Sequence, residues 1–290
     1  MIRTFIKKHI LATFFLLAYL ISWIAWLPLI ILALDPSSIQ WMIFMTGGII
    51  GPLLASVIVI GVNNGKKDLK NFFSRIFVWR SHYSWYIAAF GTPIIIWLIP
   101  TLIHVFLGGS RPILFDNTHY ITSSCSYLGI YHNTFLCIII QFFTIFFVNG
   151  VAEEPGWRGI ALPHLQENYN AVISTIIIGF LHSCWHLPLY FIPGTTKFFN
   201  QPEKLIIPFV SFLIVTILYS FIYTWLYNST ESLFFPILAH TTWNLSIDLL
   251  RPPTAGYPVG YDVILILVEL IVISLLIFFF GSEKITYKTD

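Results

Sequence analysis

Glu153 and Glu154 are adjacent carboxylates, and Arg158 follows four residues after the second, in a chain that is otherwise largely apolar. Residues 134–148 and 171–196, on either side, contain no Asp, Glu, Lys or Arg. An ionisable side chain at membrane depth costs about 3 kcal/mol or more, so three so close together point to use. Two further apolar segments carry polar pairs at helical spacing. His182 and His186 are four apart, as are His240 and Asn244, which puts each pair on one helix face. Carboxylates and histidines at this depth suit water activation or a proton relay. His182, His186 and a carboxylate could also hold zinc, although the H-E-x-x-H pattern is absent.

These residues must be positioned by membrane helices. Of 290 residues, 57% are hydrophobic and 10% charged, against about 25% charged in soluble domains. The apolar runs are long and continuous, so the expected class is an all-α integral membrane protein, not a barrel. About eight transmembrane helices are expected in a bundle with an intramembrane polar cavity. They fall at 10–34, 39–62, 84–107, from 133 into the charged stretch, and at 170–193, 205–227, 231–250 and 261–281. No soluble domain stands apart, so residues 1–290 are expected to form a single polytopic membrane domain. The first run is longer than a signal-peptide core and lacks a small-x-small cleavage pattern, so it reads as a retained helix.

The scattered basic residues and the net charge of +2 give no nucleic-acid footprint. With the N-terminus cytoplasmic, Lys and Arg divide 11 to 4 between cytoplasmic and opposite segments, or 10 to 4 if Arg158 is intramembrane. Both termini are therefore expected on the cytoplasmic side. Lys66, Lys67 and Lys70 with Trp79 and Arg80 suggest a short interfacial helix on the lipid surface. Cys125, Cys137 and Cys184 form no CxxC pair and suggest no disulfide framework. Gly47–Gly48, Gly51–Pro52, Pro93, Pro100 and Pro188 read as sites of kinking and close packing. No internal repeat supports a repeat-built transporter.

The three polar groups share one depth. The fourth and fifth spans form a hairpin whose polar turn is 167–170, and the midpoint of Glu153 and His186 falls in that turn. At ~1.5 Å per residue both lie about 25 Å from it, while His240 and Asn244 lie roughly 14–24 Å from the start of the seventh span on the same side. Glu154 and Arg158 share a helix face and can pair. Glu153 points about 100° away from Glu154. Pro155 removes a backbone donor beside the carboxylates and favours a kink there. His104, His119, His132 and His164 read as satisfied core groups, His9 and His82 as interface anchors, and Cys184 as core.

At these residues the chain resembles the CAAX protease and bacteriocin-processing family of intramembrane proteases, with 153–166 similar to its bacterial branch. The resemblance rests on Glu153–Glu154 with Arg158, on Trp185–His186–Leu187–Pro188, and on His240 with Asn244, and it spans about 134–250 as a catalytic core. One departure is His182, where the family's pattern has Phe four residues before its histidine. The resemblance implies endopeptidase action on membrane-associated proteins or peptides within the lipid bilayer of a bacterial cell membrane. It further implies that Glu153 activates water, assisted by His186, that His240 and Asn244 form an oxyanion hole, and that Glu154 and Arg158 support them. His182 braces His186 or lines the cavity. The favoured chemistry uses no metal, with a zinc-dependent version as alternative. A proton-coupled transporter and a bacteriocin immunity protein are the non-enzymatic alternatives. The substrate's prenylation, the host and the oligomeric state are not encoded in these motifs.

Overall fold

The structure is a computed structural model that describes residues 2–63, 65–112, 134–195, 201–252 and 260–287, and among them all regular structure is helical. The helices are α1 (Ile2–Lys8), α2 (Ile10–Ile31), α3 (Ile39–Ile49), α4 (Gly51–Asn63), α5 (Lys66–Ser74) and α6 (Tyr83–Phe106). The charged stretch lies inside one 33-residue helix, α7 (Thr134–Gln166). Then come α8 (Ala171–Trp185), α9 (Ile206–Thr230), α10 (Phe234–Leu250) and α11 (Tyr261–Phe280). His119, His132, Cys125, Lys197 and Lys288 lie outside the described residues.

Among the described residues six helices are long and apolar enough to cross a membrane, or seven if the pair α3–α4, bent by 43°, is one broken span. The eighth expected span is α10, whose 17 residues rise only ~26 Å, short of the ~30 Å hydrocarbon layer. It packs against α6, α7 and α9, and Phe235 through Trp243 are buried. A helix enclosed by protein need not match the lipid thickness on its own.

The ends of the helices define two faces. On the near face the backbone N–H of Ala171 donates to the Glu283 carbonyl at 2.8 Å, and that of Leu233 to the Arg75 carbonyl at 3.1 Å. On the far face the Thr101 hydroxyl donates to the Leu250 carbonyl at 2.8 Å, and Arg251 pairs with Asp262 at 3.1 Å. The exposed lysines of α5 lie on the near face with Phe72 buried beneath them, which is the amphipathic arrangement expected of an interfacial helix.

Small residues let the helices approach. The Ser22 hydroxyl donates to the Gly48 carbonyl at 2.6 Å, and a Cβ at Gly48 would lie 2.0 Å from the Trp26 indole. The expected close packing at Gly48 is therefore present. Gly179 on α8 lies against α9, where a Cβ would come 2.6 Å from the Ile217 Cα.

One expectation fails. Cys137 is disulfide-bonded and Cys184 is free. Disulfide pairing is decided by distances of a few ångströms in space, to which sequence separation is blind.

The α8–α9 contact yields a first prediction. Gly179→Ala forces backbone against backbone and is expected to destabilise the protein by about 1–3 kcal/mol, read as a lowered Tm of the purified protein in detergent.

Candidate active site

Helix α7 carries the carboxylates through an unusual stretch. Two turns, at Phe146–Gly150 and Trp157–Ala161, use wider hydrogen bonds: the Val151 N–H donates to the Phe146 carbonyl and the Leu162 N–H to the Trp157 carbonyl, each five residues back. Such turns concentrate at functional sites. They flank Pro155, which has no N–H to offer the Val151 carbonyl. Helix α7 thus runs on through the proline, and Glu153 and Glu154 both end up buried, at 2% and 0% exposure.

The two carboxylates face different helices, as the 100° offset demands. The Nε2 of His182, on α8, lies 2.8 Å from Glu153 Oε2. The Nδ1 of His240, on α10, lies 2.7 Å from Glu154 Oε1. Arg158 approaches the other side of Glu154, with Nη1 3.0 Å from Oε2 and 3.2 Å from Oε1. Its guanidinium also sits 4.9 Å over the Tyr223 ring, and the same ring stacks on His240 at 5.7 Å. Tyr223 on α9 therefore clamps both partners of Glu154.

His186 is held by the end of α8. The last carbonyls of a helix lack intrahelical donors, and here side chains supply them. Tyr19 donates to the Leu181 carbonyl, Trp23 Nε1 to the Trp185 carbonyl, and His186 Nδ1 to the His182 carbonyl at 3.0 Å. A carbonyl only accepts, so Nδ1 of His186 carries a proton and Nε2 is the atom left for chemistry. Trp185 Nε1 donates to Ser22 at 2.7 Å, tying this turn to α2. The expected kink near Pro188 appears as a tight turn over Leu187–Phe191.

The structure thus brings together Glu153, Glu154, Arg158, His182, His186 and His240. The rings of His182 and His186 are 4.9 Å apart, and those of His182 and His240 6.4 Å. Asn244 lies one turn beyond His240 on the same helix face and is partly exposed. No hydrogen bond joins it to the cluster among the described residues. His182 is fully buried; its ring meets Glu153 and its carbonyl accepts from His186 Nδ1. Spacing alone did not reveal Trp157, whose ring lies 4.9 Å from His182, or Tyr223. Asp248 was also missed, although it repeats the four-residue step from Asn244; it accepts a hydrogen bond from Gln141 at 3.3 Å. His104, His164 and His82 lie outside the cluster. His164 Nδ1 donates to the Ile160 carbonyl.

The donor set suits a metal. Glu153, His182 and His186 each offer an atom, all within 4.8 Å of one another, and Nδ1 of His182 is buried without a partner. One carboxylate and two imidazoles match a three-ligand zinc site with water in the fourth position.

Two comparisons with known proteins bear on this cluster. Residues 135–246 match the family model for type II CAAX prenyl endopeptidase Rce1-like proteins, a segment that contains Glu153, His186, His240 and Asn244. The chain is also 25% identical over 241 residues to CAAX prenyl protease 2 of Methanococcus maripaludis, covering 82% of this chain and 83% of that protein.

The buried pair on α7 generates the second prediction. Arg158→Met leaves the Glu154 carboxylate short of positive charge and is expected to cost about 3–5 kcal/mol, while Glu154→Gln added to it restores part of the loss. A double-mutant cycle on unfolding in detergent measures the coupling.

Proposed function

We propose that this chain, an Rce1-like CAAX protease by its match over residues 135–246, hydrolyses peptide bonds of membrane-associated polypeptides at Glu153. The observation that carries the proposal is the 2.8 Å contact between Glu153 and His182 beside His186, facing His240 one helix away. His182 holds Oε2 of Glu153, which leaves Oε1 to accept a proton from water. Nε2 of His186 is the second acceptor for that water. As the water oxygen bonds to the carbonyl carbon, the carbonyl oxygen gains negative charge. His240, with Nδ1 on the Glu154 carboxylate, presents Nε2 on its other edge. A proton there makes an imidazolium, balanced by Glu154, that donates to the oxyanion. The Asn244 amide, one turn along, supplies a second donor. Collapse of the tetrahedral intermediate breaks the C–N bond, and the proton taken by Glu153 passes to the leaving amine. Arg158 and Tyr223 keep Glu154 and His240 in register. The name of that relative, CAAX prenyl protease 2, suggests a prenylated substrate, and we extend that to this chain as one candidate among membrane-anchored polypeptides.

A second version of the same protease is zinc-dependent, supported by the spacing of Glu153, His182 and His186. These three residues would hold the ion, which would supply a more acidic water and polarise the carbonyl.

Cleavage of a fluorogenic membrane peptide by the purified protein tests the proposal. Glu153→Gln is expected to lower the rate by about 100–10,000-fold with little change in Tm, and Asn244→Ala by about 100–1,000-fold. Full activity in Glu153→Gln would overturn the assignment. Chelation separates the two versions: unchanged turnover supports the metal-free one, and loss restored by stoichiometric zinc supports the other.

A further inference from the structure

At the near-face ends of α7, α9 and α11 lies a cavity of about 750 Å³ that touches none of the cluster residues. Its lining includes Arg75, Lys284, Glu231, Glu283, Gln166 and Tyr227. Two cations and two carboxylates thus surround one space, yet among the described residues no ion pair joins them.

The backbone holds these charges in place. Residues 282–287 form a strap across the ends of α8 and α9. The Ala171 N–H donates to the Glu283 carbonyl at 2.8 Å, and Asn228 Nδ2 to the Lys284 carbonyl. The Thr286 hydroxyl donates to the Asn228 carbonyl at 3.0 Å, and the Tyr287 N–H to the Ser229 hydroxyl at 2.9 Å. Ile285 is fully buried beneath the strap. Glu283 and Lys284 are therefore fixed at the rim. On the opposite wall Arg75 Nη1 donates to the Tyr227 hydroxyl at 2.9 Å, which leaves Nε and Nη2 for another acceptor. Gln166 Nε2 is a buried donor without a partner, a costly state that a ligand acceptor relieves.

The chemistry of the lining defines the ligand. Arg75, Lys284 and Gln166 offer only N–H donors, which suit the oxygens of a phosphate. Glu231 and Glu283 offer acceptors, which suit an ammonium. A purely anionic ligand would meet two carboxylates, and a purely cationic one would meet Arg75 and Lys284. We infer that this cavity binds a zwitterionic phosphoester of the phosphoethanolamine type, with its phosphate on Arg75, Lys284 and Gln166 and its ammonium on Glu231 and Glu283. A phospholipid headgroup has this chemistry, and so does free O-phosphoethanolamine. The position favours the lipid. Tyr227 and Glu231 mark the end of α9, one of the helices long and apolar enough to span a bilayer, so the cavity sits where headgroups lie. The rings of Trp85 and Tyr287, 6.1 Å apart, are aromatic residues typical of that level. The site is separate from the chemistry at Glu153: Gln166 lies 13 residues further along α7, ~20 Å away. A headgroup bound there ties the ends of α7 and α9 to the strap, so its readout is stability.

Thermal unfolding of the full-length protein in detergent tests the site without requiring activity. Dioctanoyl phosphatidylethanolamine, phosphatidylcholine, phosphatidylglycerol and O-phosphoethanolamine are titrated separately. Phosphatidylethanolamine is expected to raise the Tm saturably, by about 5 °C at large excess. Phosphatidylcholine, whose ammonium has no N–H, and phosphatidylglycerol, which has no ammonium, are expected to raise it by less than half as much. Lys284→Gln and Glu231→Gln are each expected to weaken the phosphatidylethanolamine response at least tenfold in concentration. Glu231→Gln with Glu283→Gln is expected to shift the preference to phosphatidylglycerol. Equal responses to all three lipids, no response to any ligand, or a wild-type response in both single variants overturns the inference. If one single variant lowers the ligand-free Tm, the other carries the decision. A response that needs the acyl chains supports the site and assigns it to lipid; an equal response to O-phosphoethanolamine supports the site and assigns it to a soluble phosphoester.

Discussion

The structure depends on one constraint, the burial of two adjacent carboxylates in a bundle with little water. Glu153 and Glu154 cannot share a partner, because neighbouring helix positions point about 100° apart. Each therefore needs its own helix to face, and each has one: α8 brings His182 to Glu153, and α10 brings His240 to Glu154. Arg158 is the one permanent cation in the cluster. Two carboxylates face one guanidinium, and the imidazoles of His182 and His240 are their other polar partners. Buried charge tolerates little misplacement, so these contacts set the relative positions of α7, α8 and α10.

The surrounding packing serves that constraint. Tyr223 on α9 stacks on His240 and lies beneath Arg158, filling space that water would otherwise enter. Helix α2 donates side-chain hydrogen bonds to the end of α8, which fixes the turn carrying His186. Pro155 and the two wide turns give α7 the local geometry that points both carboxylates inward. The segment that matches the family model, residues 135–246, is thus braced by α2, which lies outside it.

The far half of the same helices is looser, and the contrast has a physical reason. The helices pack against one another most closely where the buried charges must be held in place, and less closely away from them. Rigid packing and burial lie on the near side of the cluster, and the partly exposed Asn244 and His186 lie on the other.

Much of this was legible in the chain. Composition and apolar length establish a helical membrane bundle, because lipid leaves the backbone no other partners. Helical spacing puts Glu154 with Arg158 on one face, and hairpin arithmetic puts Glu153, His186 and His240 at one depth. Other features were decided only in three dimensions. Sequence does not say which carboxylate meets which histidine, since that depends on how α7, α8 and α10 rotate about their axes. The pairing of His182 with Glu153, the clamp by Tyr223 and the tie from Ser22 to Trp185 all join residues at least 29 apart in sequence. The Cys137 disulfide was equally invisible. Local spacing governs what one helix presents, and only the packing of helices against each other decides what it meets.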